Sequence, residues 1–173
     1  MKQLPNFLTL CNLFCGALAI ICILHAPEYR AEINGADYTI ISPAPVYWAS
    51  ALVVIAGIFD FFDGMLARLL RVQGPMGKEL DSLADMVTFG VVPGMMLYRL
   101  LRSAYFQQPD VFDVSVVNLA PALLVPCFAA YRLAKFNLDT RQSEHFIGVP
   151  TPAAALLVAS FPMIVLFNPF NLA

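Results

Sequence analysis

Charge is what this chain is short of. Of its 173 residues only 13% are Asp, Glu, Lys or Arg, while 60% are hydrophobic. A soluble domain carries about a quarter charged residues. With a mean hydropathy of +0.73, the deficit argues against a water-soluble fold and points to lipid as the solvent. A basic surplus is missing too: the net charge of −2 offers nucleic acid no electropositive footprint. Cys11, Cys15, Cys22 and Cys127 lie in apolar stretches without CxxC spacing. They read as small buried hydrophobes rather than disulfide partners or zinc ligands. A cleavable leader is not expected, because residues 5–24 exceed a typical h-region and lack a small-x-small site. Neither an internal repeat nor a low-complexity tract interrupts the chain, so a single domain over residues 1–173 is expected.

What is present is a series of apolar runs. A bilayer core needs about 20 apolar residues per helix. Residues 4–24 supply one span, with Pro5 suited to a first helical turn. After a polar stretch, 28–45, a second span starts at Val46, is apolar to Phe59 and continues as a mixed helix to Arg71, where Gly74-Pro75 breaks it. Residues 81–101 and 114–136 read as a third and a fourth, the latter kinked by Pro121 and Pro126. Residues 149–167 make a fifth. The expected fold is all-α, a polytopic transmembrane helix bundle. With the N-terminus inside, Lys2, Arg68, Arg71, Lys78, Arg132, Lys135 and Arg141 collect on the cytoplasmic side and only Arg30, Arg99 and Arg102 on the other. This bias fits the positive-inside rule and turns the 68–80 and 132–148 loops, with any chemistry built on them, to the cytoplasm.

Against this apolar background four acids stand out. Asp60 and Asp63 are three residues apart and Asp81 and Asp85 four apart, so each pair shares a helix face. Gly64 and Ala67 lie within about 40° of Asp60 around the helix. Their small size admits another helix or a bulky ligand, and Gly77 does the same one turn before Asp81. Asp63 and Asp85 each sit about 12 Å from their expected helix ends, at 1.5 Å per residue. A helical hairpin would therefore gather four carboxylates just inside one face of the membrane. Unpaired there, each would cost several kcal/mol, and Arg68 alone cannot neutralise four. Two hard divalent cations such as Mg²⁺ or Mn²⁺ can, and paired ions recur in phosphoryl transfer. Intramembrane acids also mark cation pathways, so charge alone leaves a cation-coupled transporter open. Such a transporter often shows related half-repeats with broken helices, and none is visible.

The full spacing decides between the two. Asp60-x-x-Asp63-Gly64-x-x-Ala67-Arg68, eight residues, then Gly77-x-x-x-Asp81-x-x-x-Asp85 resembles the signature of the CDP-alcohol phosphotransferases at every fixed position. Leu4-Pro5-Asn6 with Thr9, Asn12 and Gly16 looks like that family's opening helix. Three further stretches resemble its phosphatidylserine synthase branch: Asp81 to Gly90 with Pro93, Tyr131 to Asn137, and Phe146 to Pro152. Lys135 and Thr88 depart mildly from the branch's usual Arg and Ser. The family's core has six or more spans where five are counted here. Either two spans are merged or, as we expect, the chain lacks C-terminal helices.

The resemblance implies transfer of a phosphatidyl group from CDP-diacylglycerol to an alcohol, with CMP released. It implies two divalent cations held by Asp60, Asp63, Asp81 and Asp85, with Asp85 also the general base. Asp60, Gly64, Ala67, Arg68 and Gly77 would receive the CDP-lipid: the small residues make room for the cytidine, and Arg68 pairs with a phosphate oxygen. Arg132, Lys135, Asn137 and Arg141 are the candidates for the acceptor, with His145 a weaker one. L-serine is the expected acceptor, because these few cations suffice for one carboxylate but look thin for a phosphate ester. Inositol phosphate or glycerol phosphate remains the alternative. The resemblance also implies a homodimer among membrane lipids.

Overall fold

The computed structural model describes residues 3–33, 35–72, 74–108, 111, 113–138 and 148–167. Helix α1 spans Leu4–Leu24 and is followed by an antiparallel hairpin of β1, Glu28–Ile33, and β2, Ala36–Ile41. Helix α2 covers Ala44–Leu69. Then α3, Pro75–Asp85, runs through a π-turn at Met86–Val91 into α4, Val92–Phe106. A short α5, Val116–Leu119, and a 3₁₀ turn at Ala120–Leu123 lead into α6, Leu124–Leu138. Helix α7 is Thr151–Phe167.

The protein is a polytopic membrane helix bundle. Among the described residues four segments are long and apolar enough to cross a bilayer: Leu4–Leu24, Ala44–Leu69, Pro75–Phe106 and Val116–Leu138. The expected fifth span forms as α7, a shorter apolar helix of 17 residues. Its packing pattern is inverted relative to a soluble fold. Small residues make up much of the interior, with Ala19, Ala49, Ala56, Ala84, Ala155 and Ala159 almost wholly buried beside Phe89, Phe106 and Met96, while Phe7, Phe14, Trp48, Phe61 and Phe128 are exposed. Lipid tails are as apolar as leucine, so helices in a membrane associate by close backbone approach over small side chains. Cys127 follows the outward group and is exposed, against the expectation of burial, whereas Cys15 is buried.

Several boundaries differ from the sequence reading. The third span starts at Pro75, not at 81, because proline at the first helical position begins a helix readily whatever the polarity of the turn that follows. Helix α2 ends at Leu69, two residues early. Arg71 takes a left-handed conformation, φ 51°, and its N–H donates to the Arg68 carbonyl while that of Val72 donates to Ala67. This Schellman closure ends the helix without glycine. The 114–136 span is broken rather than simply kinked, since Pro121 lies in the 3₁₀ turn.

The polar stretch read as 28–45 contains the hairpin, an exception to the all-α expectation. Asn34-Gly35 is a strong two-residue hairpin signal, and Gly35 has φ 82°. The hairpin is fastened to α4 by Glu28, which accepts from Arg99 at 2.9 Å and also from Arg102. Arg99 further donates to the Leu24 carbonyl at 3.3 Å. Thus Arg99 and Arg102 sit at one end of the bundle, and Arg68, Lys78 and Arg132 at the other, around the acids.

Candidate active site

Three helices build the acidic end. Helix α2 contributes Asp60 and Asp63, and α3 contributes Asp81 and Asp85. Direct contact between α2 and α3 is sparse, and α1 packs against both, so the carboxylates meet beside α1 rather than in a simple hairpin. From the helix ends found, Asp63 lies about 9 Å and Asp85 about 15 Å along its helix, at 1.5 Å per residue.

Asp60, Asp63 and Asp81 each offer an oxygen, and these atoms lie within 4.8 Å of one another. The Asp85 side chain meets that of Asp60 and is itself buried. Two like charges at this separation repel by about 3.5 kcal/mol at an effective dielectric of 20. Neutral donors soften this only in part. The Thr9 hydroxyl donates to Asp63 Oδ2 at 2.7 Å, and Asn12 Nδ2 to Asp85 Oδ1 at 3.4 Å. Asp81 Oδ1 is buried with no hydrogen-bond partner among the described residues. A converging set of oxygens with one orphaned atom fits a hard divalent cation, because such ions take carboxylate oxygens.

Two cavities flank the cluster. The first, about 500 Å³, is lined by Asn6, Thr9, Asp63, Gly64, Ala67, Arg68, Gly77 and Asp81 among others. Every small residue singled out from the motif faces it. A Cβ built on Gly64 would meet nothing within 4 Å among the described residues, so none of their helices packs against that glycine. On Gly77 the nearest atom would be Asn6 Oδ1 at 3.3 Å. The second cavity, about 880 Å³, joins Asp60, Asp81 and Asp85 to Arg132, Phe136 and Asn137 of α6 and to Pro150–Pro152. Asp63, Gly64, Arg68, Lys78, Asp81 and Phe136 line both.

Of the acceptor candidates, Arg132 and Asn137 reach the second cavity. Lys135 is exposed and lines neither cavity. At 100° per residue, residues 132, 133, 136 and 137 span an arc of about 140°, and position 135 falls about 60° outside it. Arg141 and His145 lie outside the described residues. Asn137 Nδ2 donates to Ser82 Oγ at 2.7 Å, and Lys78 Nζ to the Asn137 carbonyl at 3.2 Å, tying the end of α6 to α3.

Sequence reasoning missed roles for Thr9, Asn12, Lys78 and Phe136. Thr9 and Asn12 were visible as two polar residues three apart in an apolar span, a spacing that puts both on one face. Lys78 counted only as a loop charge.

The model of the CDP-alcohol phosphatidyltransferase family matches residues 2–172. The chain is 34% identical over 176 residues to the CDP-diacylglycerol–serine O-phosphatidyltransferase of Bacillus subtilis (strain 168), covering 100% of this chain and 81% of that one. It is 34% identical over 156 residues to the protein of the same name from Helicobacter pylori (strain J99), covering 89% of this chain and 54% of that one. A third, from Mycobacterium leprae, is 39% identical over 117 residues, or 64% of this chain and 36% of that one. The chain thus spans about half the Helicobacter relative and about a third of the Mycobacterium one. No solved structure matches it. The chain belongs to the CDP-alcohol phosphatidyltransferase family.

Proposed function

We propose that this protein transfers the phosphatidyl group of CDP-diacylglycerol to the hydroxyl of L-serine, giving phosphatidylserine and CMP, with two divalent cations at the site. The observation that carries the reading is the convergence of Asp60, Asp63 and Asp81 within 4.8 Å at the junction of two cavities. The names of the relatives support serine as the acceptor. Asp60, Asp63, Asp81 and Asp85 would hold the ions, Mg²⁺ or Mn²⁺. Such ions clamp phosphate oxygens and offset charge that develops in phosphoryl transfer.

The chain's own residues do the rest. Gly64, Ala67 and Gly77 leave the first cavity open to the cytidine, with the acyl chains lying in the surrounding lipid. Arg68, at the wall common to both cavities, pairs with a phosphate oxygen of the donor. In the second cavity Arg132 receives the serine carboxylate, and Asn137 fixes the wall beside it. Asp85 lies on that side and takes the proton of the attacking hydroxyl. Positioning and neutralisation therefore carry most of the rate.

The charge bias between loops supports a cytoplasmic site and N-terminus. We further propose that residues 1–173 act as one domain and that the protein works as a homodimer. CMP release by the purified protein, with one donor and a panel of serine, glycerol phosphate and inositol phosphate, tests the assignment. Serine should be preferred. Preference for a phosphorylated polyol overturns the acceptor, and no CMP with any acceptor overturns the activity.

A further inference from the structure

The acids of the site are supported from a helix whose sequence is otherwise that of an ordinary membrane span. Thr9 and Asn12 are 4% and 0% exposed. The Thr9 hydroxyl lies 2.7 Å from Asp63 Oδ2 and 3.1 Å from the Pro5 carbonyl. It has one proton, and an ionised carboxylate is the stronger acceptor. Asn12 donates to Asp85 through Nδ2, while its Oδ1 is buried without a partner among the described residues. An orphaned acceptor is unfavourable, and an apolar side chain of similar size would avoid it, so stability alone does not account for asparagine here.

The register of α1 is fixed by a close approach one turn further on. A Cβ on Gly16 would collide with the Thr88 hydroxyl and lie 3.1 Å from the Thr88 Cα. The Thr88 hydroxyl donates to the Asn12 carbonyl at 3.3 Å. Thr88 belongs to the π-turn that begins directly after Asp85. Gly16 and Thr88 therefore hold Asn12 opposite Asp85, and the same helix places Thr9 against Asp63.

We propose that Thr9 and Asn12 are positioning residues: each fixes one carboxylate through a neutral hydrogen bond and leaves its negative charge available to a cation. An arginine or lysine in their place would orient the acid and also cancel the charge. This inference rests on the reading of the acids as cation ligands. Oxygen ligands are commonly oriented by such outer hydrogen bonds, and losing one costs about ten- to a hundredfold in metal affinity.

Manganese titration of the purified full chain in detergent, without substrate, tests it by the paramagnetic resonance of the free ion. Thr9→Val should weaken binding by about ten- to a hundredfold, and Thr9→Ser, which keeps the hydroxyl, should bind as the unsubstituted protein does. Asn12→Leu should weaken binding in the same sense and lower kcat more than it raises KM for CDP-diacylglycerol. It carries the test should Thr9→Val not be recovered folded. If Asp63→Asn abolishes binding while Thr9→Val and Asn12→Leu bind normally, the positioning inference is overturned and the cation reading stands. If the unsubstituted protein takes up no manganese, both fall.

Discussion

The two ends of the bundle handle charge in opposite ways. At the hairpin end one carboxylate, Glu28, faces two guanidinium groups, Arg99 and Arg102, which stand three residues apart on one face of α4. At the other end four carboxylates meet neutral donors, the Thr9 hydroxyl, the Asn12 amide and the Gly64 N–H among them, and an oxygen of Asp81 has no partner among the described residues. In a low-dielectric setting unpaired charge is costly, so the contrast separates charge that is paired within the fold from charge that, on the proposed reading, is kept for cations.

Mutation can break this contrast. The largest effects belong to the acidic end. Asp60→Asn, Asp63→Asn and Asp81→Asn should each lower CMP release by more than about a hundredfold, beyond the loss of an outer hydrogen bond, with folded protein still recovered. Exhaustive chelation should do the same, reversed by Mg²⁺ or Mn²⁺. Normal turnover in one variant would remove that residue from the set, and normal turnover after chelation would end the two-ion reading.

Next comes Arg132→Ala. Losing a charge-assisted hydrogen bond costs about 1.5–3 kcal/mol, so KM for serine should rise roughly ten- to a hundredfold, with KM for the donor changing less. Kinetics at saturating donor decide this; equal rises in both constants would move Arg132 from the acceptor to the lipid. Ala67→Leu should crowd the first cavity and weaken donor binding by about 1–3 kcal/mol, the usual cost of overpacking. Unchanged affinity for CDP-diacylglycerol would place the cytidine elsewhere. The smallest effect is expected at the other end. Glu28→Gln should cost about 1 kcal/mol or less of stability, because the pair is partly exposed, and leave turnover unaltered. A large loss of activity there would erase the distinction between the two ends.

The parts of this architecture legible in the sequence are those with a local signal. The apolar run from Leu4 to Leu24 coincides with α1, and the spacing of Asp60, Asp63, Asp81 and Asp85 anticipates their convergence. The hairpin escaped because its strands do not separate apolar from polar faces cleanly, and Asn34-Gly35 alone had to carry it. The Thr9–Asp63 and Asn12–Asp85 contacts join residues 54 and 73 apart, and no local period encodes a meeting across such a distance. Lys135 differs for another reason: it is near Arg132 in sequence, but the helix turns it away from the cavity that Arg132 lines.

The π-turn at 86–91 alters how the long helix that carries it keeps time. Each turn there takes in one more residue than an α-turn, as the i→i+5 bonding requires, so everything after it is set back by about 100° relative to an uninterrupted helix. The two halves of Pro75–Phe106 are thus two rulers laid end to end with a shifted zero. The first half presents Asp85 to α1. Past the shift, Gly94 comes so close to α6 that a Cβ there would lie 2.8 Å from Pro126 Cδ. Removing one residue between 86 and 91 would bring the rulers back into phase. The face that now meets α6 would then turn elsewhere, even with every side chain at the acidic cluster unchanged.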